Sequence, residues 1–107
     1  MDNPTLFFRR RRAKDSSATS VAVIGLGRFG GALATELVRS GTEVLGIDTD
    51  EDVVQSLNGV LTHVVRADST KEVALEQLGV TQFDRVVVGI GSDIQASILT
   101  TSLLKRM

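Results

Sequence analysis

The sequence contains no cysteine, no tryptophan and no tyrosine, and only one proline and one histidine. Without cysteine there is no disulfide framework, no thiolate metal site and no cysteine nucleophile. The lone histidine, His63, has neither a second histidine nor a cysteine with which to share a metal, and it reads as a solvent-facing strand residue. No stretch approaches the roughly 18 consecutive apolar residues that a membrane-spanning helix needs, so any contact with a bilayer is expected to be peripheral. The nucleophile elbow G-x-S-x-G and the zinc pattern H-E-x-x-H are absent too, and no catalytic constellation emerges. The 107 residues have room for one domain with a modest core and none for a separate substrate domain.

Charge is balanced in total, with 12 Lys and Arg against 13 Asp and Glu, but unevenly distributed. Residues 1–20 hold Arg9, Arg10, Arg11, Arg12 and Lys14 and carry a net charge of +3, while residues 21–107 carry −4. An acidic body argues against nucleic acid as a partner. Residues 1–20 end in Ser16-Ser17-Ala18-Thr19-Ser20 and show no sustained period, which marks a flexible basic tail. Within it, Leu6-Phe7-Phe8 beside the arginines could touch an anionic surface or remain solvated. The apolar run Val21-Ala22-Val23-Ile24 that follows is too short for a signal sequence and reads as a strand.

From Val21 onward, short apolar runs alternate with amphipathic stretches four times, the rhythm of a βαβαβαβα chain. Strands are expected at 21–25, 43–48, 62–66 and 85–90, and their near-continuous Val and Ile content predicts a parallel sheet buried on both faces. Helices are expected at 28–40, 50–58, 70–78 and 93–105, the first three each followed by a glycine, Gly41, Gly59 and Gly79, suited to a left-handed cap. Ser69 with Glu72 and Ser92 with Gln95 match capping boxes, and Asp50, Glu51 and Asp52 load a helix start with negative charge. In the first helix Phe29, Leu33 and Leu37 predict an apolar stripe facing the sheet. Right-handed crossovers give the strand order 3-2-1-4, a Rossmann-like, doubly wound, three-layer α/β fold.

Gly25-Leu26-Gly27-Arg28-Phe29-Gly30 is a G-x-G-x-x-G placed directly after a strand and opening a helix. In this context Gly25 makes the tight turn, Gly27 lets a phosphate approach the backbone, and Gly30 brings helix and strand together, while free N–H groups at the helix start attract the phosphates. Asp48 ends the second strand 18 positions beyond Gly30, where a carboxylate can accept hydrogen bonds from both hydroxyls of a ribose. With Thr49 and Asp50 next to it and no arginine nearby, a 2′-phosphate is disfavoured, so the expected ligand is NAD or an adenosine nucleotide rather than NADP. Ala67-Asp68-Ser69 and Gly89-Ile90-Gly91 follow the third and fourth strands on the same side. Asp68 either meets an adenine amino group or caps a turn, and the two glycines either admit a ligand or merely shape a loop. Arg28 is placed to distinguish phosphate number or position, and a solvated surface arginine is the alternative.

The strings VAVIGLGRFGGALATELVRSGTEVLGID and VVVGIGSDIQASILTTSLLK resemble the nucleotide-binding N-terminal domain of the RCK/KTN family, over about residues 20–107. The likeness is to the KtrA and TrkA-type regulatory subunits of bacterial potassium uptake systems. Its specific parts are G-L-G-R-F-G at 25–30 and Gly91-Ser92-Asp93-Ile94-Gln95-Ala96-Ser97 with Thr100-Thr101. The resemblance implies a cytoplasmic regulator that binds ATP/ADP or NAD(H). It would form dimers that assemble into a ring beneath a membrane potassium-translocating subunit of the KtrB or TrkH type, peripheral to the inner face of the membrane. It further implies that Gly25, Gly27 and Gly30, with Phe29 among them, line the phosphates and that Arg28 reaches the terminal one. Asp48 and Thr49 would take the ribose, Asp68 and Ser69 would lie near the adenine, and Gly89, Ile90 and Gly91 would form the wall. Family domains continue past the position of Lys105, so residues 21–107 are expected to be an incomplete domain with an exposed sheet edge able to self-associate. The expected role is a nucleotide sensor that performs no reaction. The alternative is the cofactor half of an NAD-dependent dehydrogenase.

Overall fold

The computed structural model describes residues 19–90 and 94–107. Most of the expected basic tail, together with Gly91 and the Ser92 cap, lies outside the described residues. Among the described residues four strands alternate with four helices: β1 (Ser20–Ile24), α1 (Arg28–Arg39), β2 (Glu43–Asp48), α2 (Glu51–Leu57), β3 (His63–Arg66), α3 (Glu72–Gln77), a 3₁₀ turn (Val80–Gln82), β4 (Arg85–Val88) and α4 (Ile94–Arg106). All strands are parallel in the order β3-β2-β1-β4, as the rhythm and crossover rule predict.

Side chains alternate across the sheet and both faces are covered, which makes three layers. Val21, Val23 and Val44 join Leu26, Ala34 and Leu61 in one cluster, with Leu37, Val38, Val53 and Leu57 of α1 and α2 packed against it. Ile24, Leu45 and Ile47 point the other way, onto Leu75, Val80 and Leu103 from the α3 and α4 side. Full burial of each such aliphatic side chain stabilises by about 1.5–3 kcal/mol, which is why continuous apolar strands settle in the centre of a sandwich. Gly41, Gly59 and Gly79 each follow a helix with φ of 93°, 90° and 69°. Asp50 caps α2 as expected, its carboxylate accepting from the Asp52 N–H at 2.9 Å.

Three expectations are corrected. β1 begins at Ser20, inside the stretch assigned to the tail. Ser20 is buried, and its N–H and hydroxyl both donate to Asp84 Oδ2, at 3.0 and 3.3 Å, while Asp84 N–H donates back to the hydroxyl at 3.1 Å, which ties the start of β1 to the start of β4. The buried stripe of α1 is Gly30 and Ala34, flanked by Leu37 and Val38, whereas Phe29 is 68% exposed. The closest approach of helix to sheet is set by Gly30, and at about 100° per residue a helix that faces Gly30 inward turns Phe29 outward. The box of Ser69 and Glu72 does not form either. Residues 68–71 make a turn closed by Lys71 N–H donating to the Asp68 carbonyl at 3.1 Å, the helix starts only at Glu72, and its capping position is Lys71, whose side chain makes no cap bond.

Candidate functional site

The sheet order reverses between β1 and β4, and the crevice of such folds lies beyond the carboxyl ends of the strands at that point. Backbone bonds gather the strand ends there: Gly25 N–H donates to the Ile47 carbonyl at 2.8 Å, Gly89 N–H to the Ile24 carbonyl at 2.7 Å, and Ala67 N–H to the Asp48 carbonyl at 3.0 Å. The result is a cleft of about 310 Å³ lined by residues from the ends of all four strands and from α4.

The glycine loop is built by three different constraints. Gly25 has φ of +94°, and a Cβ on it would lie 2.7 Å from the Gly89 carbonyl oxygen, so both conformation and the approach of β4 demand glycine. A Cβ on Gly30 would lie 1.8 Å from the Gly25 carbonyl oxygen, so this glycine lets α1 rest on the strand end. Gly27 differs from both. It has a φ of −71°, it is exposed, and a Cβ there would meet nothing within 4 Å. Neither backbone strain nor packing explains it, and the space above it stays open. Gly27 is also the capping residue of α1, which no side chain caps, so the positive end of the helix faces solvent at the loop.

Leu26, between the first two glycines, is buried at 3% exposure and packs over Gly46 with Leu61. Its N–H donates to Asp48 Oδ2 at 2.7 Å, while Asp48 Oδ1 accepts from the Asp50 N–H at 2.9 Å. One carboxylate thus joins the loop after β1 to the loop after β2, and each oxygen keeps further acceptor capacity. Across the cleft, Asp68 Oδ1 accepts from both the N–H and the hydroxyl of Thr70. These bonds, chiefly the hydroxyl one, together with the nearby Lys71 charge, hold the Asp68 carboxyl below its ordinary 3.8 against the opposing effect of burial. The group is therefore anionic, and an acceptor only, throughout the neutral range. Ser69 is buried, and its hydroxyl pairs with Thr100 Oγ1 at 2.9 Å.

Of the residues expected to form a site, the structure places Gly25, Asp48, Thr49, Asp68, Ser69 and Ile90 on the cleft wall. Gly27, Arg28 and Phe29 are exposed at the start of α1, outside that lining; Gly30 is buried beneath the loop. Gly89 is not part of that lining either, and the Phe29 ring lies 3.4 Å from where its Cβ would sit. Gly91 lies outside the described residues. Sequence reasoning gave no site role to Ile24, Ile47, Ala67, Thr70 and Ala96, which also line the cleft. Their signal was position alone: each stands at a strand end, beside one, or on the first turn of α4. Among the described residues no group of three or more His, Asp or Glu side chains is placed to hold a metal, and no helix is long and apolar enough to cross a membrane.

A parallel sheet with its glycine loop, uncapped helix start and acidic strand end makes this a Rossmann-type domain. Residues 21–107 match the model of the TrkA-N domain, and the chain belongs to that family. It is 51% identical over 86 residues to the Ktr system potassium uptake proteins C and A of Bacillus subtilis, and 43% identical over 85 residues to the potassium uptake protein A of Vibrio alginolyticus. These alignments take in about four fifths of this chain (80%, 80% and 79%) and 39% of each relative, so the chain spans about two fifths of their length. Among solved structures, the NAD(P)-binding domain of an exopolyphosphatase-related protein from Archaeoglobus fulgidus superposes with a TM-score of 0.72 at 27% identity, covering 80% of this chain and 64% of that one.

Proposed function

We propose that this chain is the nucleotide-sensing part of a regulatory subunit of a potassium uptake system, and that it works by binding ATP/ADP or NAD(H) without transforming them. The observation that carries the nucleotide is Gly27. It is the one glycine of the loop that the folded protein itself does not require, and it stands where an uncapped helix start faces open space. A phosphate seated there would use the room that a Cβ would take. The remaining acceptors of Asp48 suit two ribose hydroxyls, and Asp68 Oδ2, which neither Thr70 bond uses, suits an exocyclic amino group. Gly25 and Gly30 hold the loop, Arg28 reaches the terminal phosphate, and Thr49, Ser69, Gly89 and Ile90 enclose the rest. Potassium uptake is carried over from the names of the relatives. From the family resemblance the proposal further takes a cytoplasmic location, a membrane-embedded translocating partner and ring assembly from dimers.

Two nucleotides act differently on such a domain only if they bind its arrangements with different free energies. Moving an equilibrium from 1:99 to 99:1 takes about 5.5 kcal/mol of differential binding, a load suited to several copies acting together. Calorimetry with ATP, ADP, AMP, NAD and NADH tests the reading. Different affinities for ATP and ADP that become equal in Arg28→Ala are expected. Binding of NAD or NADH alone, with hydride transfer to a carbonyl compound, would instead support the reading as the cofactor half of a dehydrogenase. Absence of any binding sinks the proposal.

A further inference from the structure

We infer that Ser97 and Thr100 are positioning residues of the cleft: from one face of α4 their hydroxyls hold the β3 rim and the β4 rim at the separation that the base and ribose of a nucleotide require. The inference rests on the nucleotide reading above and concerns residues to which that reading gives no role.

β3 and β4 are the two outermost strands, with β2 and β1 between them, so the sheet links their ends only through two intervening strands. α4 links them directly. Ser97 Oγ donates to the Ile90 carbonyl at 3.0 Å, just past β4, and Thr100 Oγ1 pairs with Ser69 Oγ at 2.9 Å, just past β3. Ile90 and Ser69 both line the cleft, and so does Ala96, which precedes Thr100 by four positions and therefore lies on the same face of the helix. Thr100 is fully buried and Ser69 nearly so. An apolar residue would fill the buried Thr100 position without the cost of burying a hydroxyl. Apolar contacts let a helix slide, whereas hydrogen bonds fix distance and direction. The phosphate loop is held separately, by Gly25, Gly30 and the bond from Leu26 to Asp48. Loss of the clasp should therefore loosen the grip on base and ribose and spare the grip on phosphates.

The test compares ATP and ADP with inorganic tripolyphosphate on the whole chain. Thr100→Val keeps the shape and removes the hydroxyl. It is expected to weaken ATP and ADP about fivefold to tenfold, in line with one buried hydrogen bond, while tripolyphosphate binding stays within about twofold. Thr100→Ser should restore nucleotide affinity, and Ser97→Ala, which acts on the half-buried rim and carries the test should Thr100→Val fail to fold, should weaken nucleotides alone. Unchanged nucleotide affinity in Thr100→Val and Ser97→Ala, a parallel loss of tripolyphosphate, or no rescue by Thr100→Ser overturns the clasp. A wild-type chain that binds neither ATP nor ADP overturns the nucleotide reading and the clasp with it; wild-type binding that the variants do not disturb overturns the clasp alone.

Discussion

A single added methyl group separates the two roles a loop glycine can play here. At Gly30 it would overlap the Gly25 carbonyl oxygen at 1.8 Å, a backbone atom that cannot yield as the end of a flexible side chain could. Gly30→Ala is therefore expected to destabilise by about 3 kcal/mol or more, at the upper end of overpacking, and urea unfolding should show a largely unfolded protein. At Gly27 the same methyl meets nothing. Gly27→Ala should cost within about 1 kcal/mol, as an exposed helix cap does, yet weaken nucleotide binding at least about tenfold. A Gly27→Ala protein that binds as wild type would remove the phosphate from this loop. Asp68 adds a pH signature. Its folded pKa lies below the ordinary 3.8, so its contribution is fully present above that value and disappears as pH falls through the folded one. Below about pH 4 the wild type should lose stability more steeply than Asp68→Asn, with no difference in slope between pH 5 and 8. A parallel decline of the two proteins in acid-unfolding curves would show that the Thr70 bonds do not favour the carboxylate.

Elements owe their placement to signals of different range, and this decides how much of each was legible beforehand. The strands and their order could be read because apolar runs buried on both faces have no other reading and the crossover rule leaves one winding. Gly41, Gly59 and Gly79 were legible because a left-handed residue at a helix end is a local demand. Ser69 was not. Its spacing to Glu72 fits a capping box, but Thr100, 31 residues away, takes the hydroxyl, and no local pattern announces a partner that far along the chain. Phe29 was misread for a related reason: its four-residue spacing to Leu33 and Leu37 is a true helical period, but the face that turns inward is chosen by where Gly30 can touch the sheet. Within the site, the sequence marks Asp48 as a candidate ribose acceptor, and the structure puts it on the cleft wall. Its bonds to Leu26 and Asp50, which clamp two loops, depend on backbone geometry that spacing does not reveal. The clamp carries its own prediction. Asp48→Ala leaves the N–H of buried Leu26 without its acceptor and should cost about 1.5–3 kcal/mol in chemical unfolding even without ligand, whereas Asp50→Ala, which removes only a cap, should cost about 1 kcal/mol.

For the molecule as a whole, the cleft is made of the carboxyl ends of all four strands of the described sheet, so a ligand in it touches segments that lie far apart along the chain. Binding to the folded state alone must then raise overall stability by mass action. At a free nucleotide concentration about 100 times its dissociation constant the gain is about 2.7 kcal/mol, and in a domain of this size each kcal/mol moves the melting temperature by about 4–8 °C. A shift of about 10–20 °C is thus expected for the nucleotide that fits, growing with the logarithm of its concentration. If Arg28 meets the terminal phosphate, ATP and ADP at equal concentration should give different shifts, and Arg28→Ala should lower the ATP shift to that of ADP while leaving the unliganded melting temperature unchanged, since Arg28 is exposed. Equal shifts for ATP and ADP in the wild type would take the discrimination away from Arg28. The domain would then respond to the adenosine end of the ligand, proposed above to meet the β3 rim, rather than to the phosphate end at α1.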